Sequence, residues 1–344
     1  MKLKTLRFWA WAMLMPVAAA GLVASYLAFT RSPLTLSQPV IVEVPGHSSA
    51  IRLMRLLSDA GALRGMEPWY FAFMAWQSGR AGQLQPGEYR LTPGMVPARL
   101  LEMMARGQVY QRSVTLVEGW QFRQIVAALA RSDQLQHTIE GLSDEAVMAQ
   151  IGSALPYLEG QVFPDTYFYT RGMSDVALLR RGVLRMQQIL AREWSQRATG
   201  LMIQTPEQAL ILASIVEKET ARDDERAKVA GVMHRRLKLG MLLQVDPTVI
   251  YGLGSEYHGD IRRSHLLKDT PWNTYTRHGL PPTPIAAPGL ASLHAALHPD
   301  DGDALYYVSR GDGSGSHVFS ATLEAHERAV DQYQRHRSAM PAKP

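Results

Sequence analysis

The sequence contains no cysteine among its 344 residues. That excludes disulfide scaffolds, thiolate zinc sites, iron–sulfur clusters and cysteine nucleophiles, so any metal would have to rest on histidine and carboxylate ligands. A HExxH zinc motif is also missing. His234, His258, His265 and His278 are scattered, and His294 and His298, four apart, read as a helix end before Pro299. Neither a metal nor a cofactor is therefore expected. The chain also lacks a long block of one charge. Its 36 basic and 31 acidic residues sum to +5, and the basic ones are dispersed, so the pI of 9.4 is not the footprint of a nucleic-acid binder and no nucleic acid is expected. Charged residues are only 19% and hydrophobic ones 46%, enough apolar material for substantial cores in about two domains of about 100–200 residues each.

One long uncharged run is present. Residues 8–30, FWAWAMLMPVAAAGLVASYLAFT, would as a helix match a hydrocarbon core of about 30 Å. Lys2, Lys4 and Arg7 precede it, Arg31 alone follows at once, and Trp9, Trp11 and Tyr26 lie near its ends. The excess of positive charge before the run predicts a single-pass anchor with residues 1–7 in the cytoplasm. A signal peptide cleaved after Ala18, Ala19 or Ala20 is the alternative, but the apolar sequence continues past them. Residues 31–39, with Pro33 and Pro39, read as a linker.

Beyond it, VIVEV at 40–44 alternates like a strand, Ser48 or Ser49 starts an amphipathic helix, and further helices are expected at 67–77 and about 96–105. Residues 40–112 thus form a small α/β module. At Val114 a strand, turn and helix recur in VTLVEGW and the residues to Arg131, as a weak duplication or two ordinary units. From 113 to about 338 no clean linker appears. Helices at about 174–195, 206–220 and 223–239 and a strand at 304–309 make the pattern α+β, and residues 339–344 read as a tail.

The chemistry is expected around TPEQALILASIVEKET. Thr205 reads as an N-cap, Pro206 as the first helical residue and Gln208 as the reciprocal partner of a capping box. Leu212, Ile215 and Val216 share one face, and the 3.6-residue period continues that face to Glu219, while Glu217 points elsewhere. Burial and the negative end of the helix dipole both disfavour the Glu219 anion, so its carboxyl should stay protonated towards neutrality and donate a proton to a leaving oxygen. Taken alone, the helix end reads rather as a solvated terminus with Arg222 as an ordinary surface partner. The balance shifts with the loops that follow. Gln244, Asp246, Thr248 and Tyr251 cluster in QVDPTVIYG after a helix closed at Gly240, and the proline-rich TPWNTYTRHGLPPTPIAAPG presents Trp272, Asn273, Tyr275 and His278. Aromatic faces with amide and carboxylate neighbours suit sugar rings.

ASIVEKET (213–220), QVDPTVIYGLG (244–254), PWNTYTRHGLPPTPIAAPG (271–289) and SHVFSATLEAH (316–326) strongly resemble the YceG-like, MltG-type family of endolytic peptidoglycan transglycosylases. PGEYRLTPGM (86–95), LVEGW (116–120) and EGQVFPDTY (159–167) match as well, so the likeness spans nearly the whole chain. The resemblance implies an inner-membrane anchor, a LysM-like module at 40–112 and a catalytic domain at 113–338 on the periplasmic side. It implies cleavage between N-acetylmuramic acid and N-acetylglucosamine within nascent strands, and association with peptidoglycan synthases. The family's catalytic glutamate falls on Glu219. Glu217, Gln244, Asp246, Thr248, Asn273, Tyr275 and His317 occupy matching motif positions and are candidate cleft residues. Val245, Thr283, Ser316 and Val318 depart from the family pattern, which bears on substrate positioning.

Hydrolysis of a glycosidic bond uses two carboxylates, whereas a lytic reaction needs one, which first protonates the scissile oxygen and then takes the proton of the muramic acid C6 hydroxyl as a 1,6-anhydro ring closes. The rivals are a lysozyme-type hydrolase with Asp246 or Glu217 as second carboxylate, and a non-catalytic glycan-binding scaffold.

Overall fold

The computed structural model describes residues 2–46, 48–153 and 155–339, and the side chains of residues 15–335 within them. The chain divides into two compact units, Met1–Arg112 and Ser113–Pro344. Both mix helices with two-stranded sheets, an α+β architecture.

The first unit opens with α1 (Lys2–Arg31), then β1 (Val40–Val44), α2 (Ala50–Asp59), α3 (Glu67–Gln77), β2 (Gly87–Leu91) and α4 (Pro97–Ala105). The residues expected to cross a membrane, 8–30, lie inside α1, and residues 8–14 are among those whose side chains are outside the described ones. Among the described residues no helix is long and apolar enough to cross a membrane. Strands β1 and β2 pair antiparallel with Val40 opposite Leu91 and Val44 opposite Gly87. Alternation then sends Val42 and Val44 inward, onto Leu53 and Leu57 of α2, Phe71 of α3 and Leu100 and Leu101 of α4. Ser49 starts α2, its hydroxyl accepting the Arg52 amide at 3.3 Å, which satisfies one of the helix's orphan donors. The end of α1 joins this core through Phe29.

The second unit runs through β3 (Arg112–Thr115), α5 (Phe122–Ala130), α6 (Asp144–Ile151), β4 (Thr166–Tyr169), α7 (Asp175–Ser195), α8 (Pro206–Glu219), α9 (Asp223–Lys238), α10 (Asp246–Leu253), α11 (Arg263–Leu267), α12 (Leu290–Leu297), β5 (Tyr306–Ser309), β6 (His317–Ser320) and α13 (Leu323–Ala339). Strands β3 and β4 form one ribbon; β5 and β6 form another, antiparallel, with Tyr306 opposite Ser320 and Ser309 opposite His317. Helix α8 is the axis of the larger core. Every residue from Ala209 to Val216 is buried, so the helix is encased all round by α7, α9, α10 and α12 rather than showing the single stripe read from the sequence. Leu210 and Ala213, off that stripe, are as deep as Leu212. Truncating a side chain here, Leu212→Ala for instance, would cost about 2–5 kcal/mol.

Local signals explain the helix starts. The Thr205 hydroxyl accepts the Gln208 amide at 3.2 Å, but the Gln208 side chain accepts from the amide of Gln204 at 2.6 Å, one residue earlier than a capping box would have it. The stretch QVDPTVIYG, expected as loop, is instead the start of α10: Pro247 sits in its first turn, where a missing N–H costs nothing. Helix α13 runs to Ala339, the first residue of the expected tail, and residues 340–344 lie outside the described residues.

Candidate active site

A cavity of about 390 Å³ opens in the second unit, lined by Glu219, Arg236, Gln244, Asp246, Tyr275, Tyr306, Tyr307, Leu323 and His326. Glu219 is the last residue of α8 and partly buried. Burial pushes its carboxyl up to about 7, and the nearby Asp246 charge pushes the same way; a hydrogen bond from Tyr307 and the charges of His317 and Arg236 hold it back. That bond is short, Tyr307 Oη donating to Oε2 at 2.7 Å. Glu219 Oε1 accepts no hydrogen bond among the described residues. One oxygen is thus fixed and the other is left for whatever enters the cavity.

Three of the walls come from parts remote in sequence. Arg236 of α9 is buried, donating from Nε to the carbonyl of Leu305 and from Nη1 to that of Leu243, both at 2.7 Å, with its guanidinium 5.3 Å from the Tyr306 ring centre. Burial pulls its pKa down, and Tyr307, Tyr306, Tyr275 and Glu219 pull it up. The Tyr306 ring stacks on His326 of α13, 5.2 Å between centres. His326 Nδ1 is buried without a hydrogen-bond partner among the described residues. Behind Tyr307, His317 packs edge-on at 5.6 Å and is itself held at Nδ1 by the Glu225 carboxylate at 2.7 Å.

The opposite wall is set by the entry to α10. Gln244 adopts φ +52°, a left-handed conformation that a side chain with a Cβ rarely takes, and its amide donates to the Thr274 carbonyl at 3.1 Å. Thr274 Oγ1 accepts the Val245 amide at 3.0 Å and shares a 2.8 Å bond with Thr248 Oγ1. Asp246 then starts α10, and its Oδ1 accepts from Tyr275 Oη at 2.6 Å. Burial and this acidic partner raise the Tyr275 phenol well above its ordinary value.

Of the residues singled out from sequence, Glu219, Gln244, Asp246 and Tyr275 line the cavity together. The others stand around it. Asn273 is buried, with its amide nitrogen on the carbonyls of Leu266 and Lys268 and its oxygen on the Tyr275 amide at 2.8 Å, so it shapes the loop that carries Tyr275. Thr248 is buried under the α10 entry, and His317 supports Tyr307. Glu217 turns the other way, accepting the Gly289 amide at 3.0 Å. Beside it Lys218 Nζ donates to the Gly119 carbonyl at 3.2 Å, and Gly119 and Ala287 exchange backbone bonds with their neighbours, so LVEGW and PIAAPG meet in one joint. A Cβ at Gly289 would meet the Glu118 carboxyl, which would have to swing aside. Trp272 and His278, expected to face sugar, are engaged by the protein, the indole donating to Thr283 Oγ1 at 2.9 Å and the imidazole meeting the Gly240 carbonyl at 3.0 Å. The unusual Thr283 therefore supplies the acceptor for Trp272. Arg236, Tyr306, Tyr307, Leu323 and His326 were missed. ALYYVS had been read as a strand, and nothing local says which strand side chains meet an acid almost ninety residues upstream, at a separation of 88 positions. Among the described residues no group of three or more His, Asp or Glu is placed to hold a metal ion.

The family model of the YceG-like family matches residues 42–332, a range that contains every residue lining this cavity. The chain belongs to the YceG-like family. Its relatives in that family include an endolytic murein transglycosylase of Bacillus subtilis, 30% identical over 312 residues, covering 86% of this chain and 84% of the relative. A Streptococcus pneumoniae protein of the same name is 26% identical, covering 86% of this chain but 58% of its own length. The crystal structure of a YceG-like protein from Listeria monocytogenes superposes with a TM-score of 0.52 at 27% identity, covering 85% of this chain and 99% of that one.

Proposed function

We propose that this YceG-like chain is a lytic transglycosylase that cuts peptidoglycan strands internally, with Glu219 as acid and then base. The observation that carries the reading is a carboxyl held near a pKa of 7, with one oxygen anchored by Tyr307, at the edge of a cavity of about 390 Å³. Near neutrality such a group still carries the proton that the first step spends, and the anion formed by that step is basic enough to take one back. The neutral form protonates the scissile oxygen as positive charge grows at muramic acid C1. The anion so formed takes the proton of the C6 hydroxyl, which closes onto C1 to give a 1,6-anhydro end, and the carboxyl is regenerated without consuming water. The ionised forms of Asp246 and Glu219 lie on the same cavity, where negative charge stabilises an oxocarbenium-like centre. Tyr275 and Gln244 are placed to orient the sugar. The kinship with endolytic murein transglycosylases supports the activity, and the charge asymmetry about residues 8–30 supports a membrane anchor with the rest of the chain on the far side. The helix pair α2 and α3 between two antiparallel strands supports a LysM-like module at 40–112. Nascent glycan strands are then the substrate and peptidoglycan synthases the natural neighbours.

Asp246 on the same cavity favours one alternative, a hydrolase with Asp246 activating water. Mass analysis of the products from uncrosslinked strands separates the two: anhydro ends support the lytic reading, and products heavier by one water overturn it.

A further inference from the structure

The first unit carries an aromatic surface that its own core does not use. Trp69, Phe73 and Trp76 are 60, 46 and 71% exposed, and Met66 just before α3 is 53% exposed. The positions 66, 69, 73 and 76 advance by three, four and three, so they lie on one stripe of the helix, while Phe71 and Ala75 on the other side enter the core. An isolated exposed apolar residue needs no explanation, but a stripe of this kind marks an interaction surface.

What covers it is indicated by its continuity with α1. The Phe73 ring lies 5.3 Å from that of Tyr26 and 5.8 Å from that of Trp76, and Tyr26 Oη donates to Gln77 Oε1 at 2.9 Å. On α1 itself Met15, Val17, Leu22, Val23 and Leu27 are exposed apolar side chains. The bare surface of α1 thus passes through Tyr26 directly onto the α3 stripe. Arg64 and Arg80 bracket α3 on either side, where they can meet lipid phosphates. Indole and phenol rings favour the boundary between hydrocarbon and headgroups.

We propose that the α3 stripe is a seat on the bilayer surface, with Trp69, Phe73 and Trp76 resting at headgroup level beside the point where α1 leaves the hydrocarbon. The proposal rests on reading α1 as the membrane anchor. It adds a second contact with lipid, beside the α1 end that Phe29 and Leu34 already tie to the core of the first unit.

The cysteine-free chain allows a direct test. Single cysteines are placed in the full chain by Phe73→Cys and Trp76→Cys, with Lys238→Cys on α9 as reference, and labelled with an environment-sensitive fluorophore. The chain is reconstituted in vesicles of phosphatidylethanolamine and phosphatidylglycerol, some bearing shallow nitroxide lipids. The seat predicts blue-shifted emission at 73 and 76, protection from aqueous iodide, and quenching by the nitroxide lipid at least about threefold stronger than at 238. Free access of iodide to both labels in a chain that resists carbonate extraction overturns the seat and leaves the anchor standing. Release of the chain by carbonate overturns the anchor, and the seat with it. Shielding that varies with protein concentration and ignores the lipid-borne quencher assigns the stripe to a protein partner and also overturns the proposal. Retained helical circular dichroism in each variant shows that the exposed substitutions leave the fold intact.

Discussion

Glu219 and Glu159 make an instructive pair. Each lies beside a cavity of the second unit, each is pushed up to about 7 chiefly by burial, and each is hydrogen-bonded to a tyrosine, Tyr307 in one case and Tyr251 in the other. They differ in what else they hold. Glu159 accepts the amide of Phe122 at 3.0 Å, the first residue of α5, and so fastens a helix N-terminus. Among the described residues Glu219 has no backbone donor and keeps an oxygen uncommitted. A raised pKa therefore measures burial, and a free oxygen on an open cavity is what turns a buried acid into a reagent.

The sharpest way to break this comparison is to neutralise both acids. Glu219→Gln is expected to fold and to lose at least about a thousandfold in the release of anhydro-ended fragments, whereas Glu159→Gln, which keeps its acceptor oxygen, stays within about fivefold of the parent. Equal losses in the two variants, measured by product mass on the same strands, would reduce Glu219 to a structural acid. Next in size is Tyr307→Phe, expected to lower kcat by about 10–100-fold. It removes a donor that favours the Glu219 anion, so the alkaline limb of the pH–rate profile, near pH 7 in the parent, moves upward. A profile that drops in height without moving would reject Tyr307 as a tuning partner.

Stability carries the same signature with a worked sign. The folded chain holds a proton on Glu219 between its ordinary value of 4.5 and about 7, while the unfolded chain has released it. Stability from this group is thus fully present below pH 4.5 and lost as pH rises through about 7. Gln, uncharged throughout, escapes that loss, so Glu219→Gln should be about 1–3 kcal/mol more stable than the parent at pH 8 and no different at pH 4. Urea titrations at the two pH values decide it. The smallest effect expected is from Thr283→Val, which leaves the Trp272 indole without its acceptor and costs about 1 kcal/mol in the same titration, with turnover nearly unchanged.

How much of this was legible before any coordinates follows from where the information is stored. The ends of α3, α8 and α9 were readable to within a residue or two because caps, prolines and apolar periodicity are written locally. The place of Glu219 at the end of α8 was readable for the same reason, although the single apolar stripe used to reach it is not what the all-round burial of α8 shows. The α10 helix was misread because DPT resembles a turn when seen alone, although proline after the first residue also begins helices. Arg236, Tyr307 and His326 could not be read at all. Their meeting depends on α9, the β5–β6 ribbon and α13 closing around α8, a tertiary event with no local mark. The sequence also overstated Asn273 and Trp272, whose polar atoms are consumed by their own loop.

The ribbon that carries Tyr307, and the helix that carries Leu323 and His326, arrive late in the chain. If the chain beyond α1 is delivered across the membrane in the order of its synthesis, Glu219 emerges long before the phenol that steadies it. A partly delivered chain would then carry the acid without the phenol that anchors it, and the cavity around Glu219 would be complete only once α13 had followed.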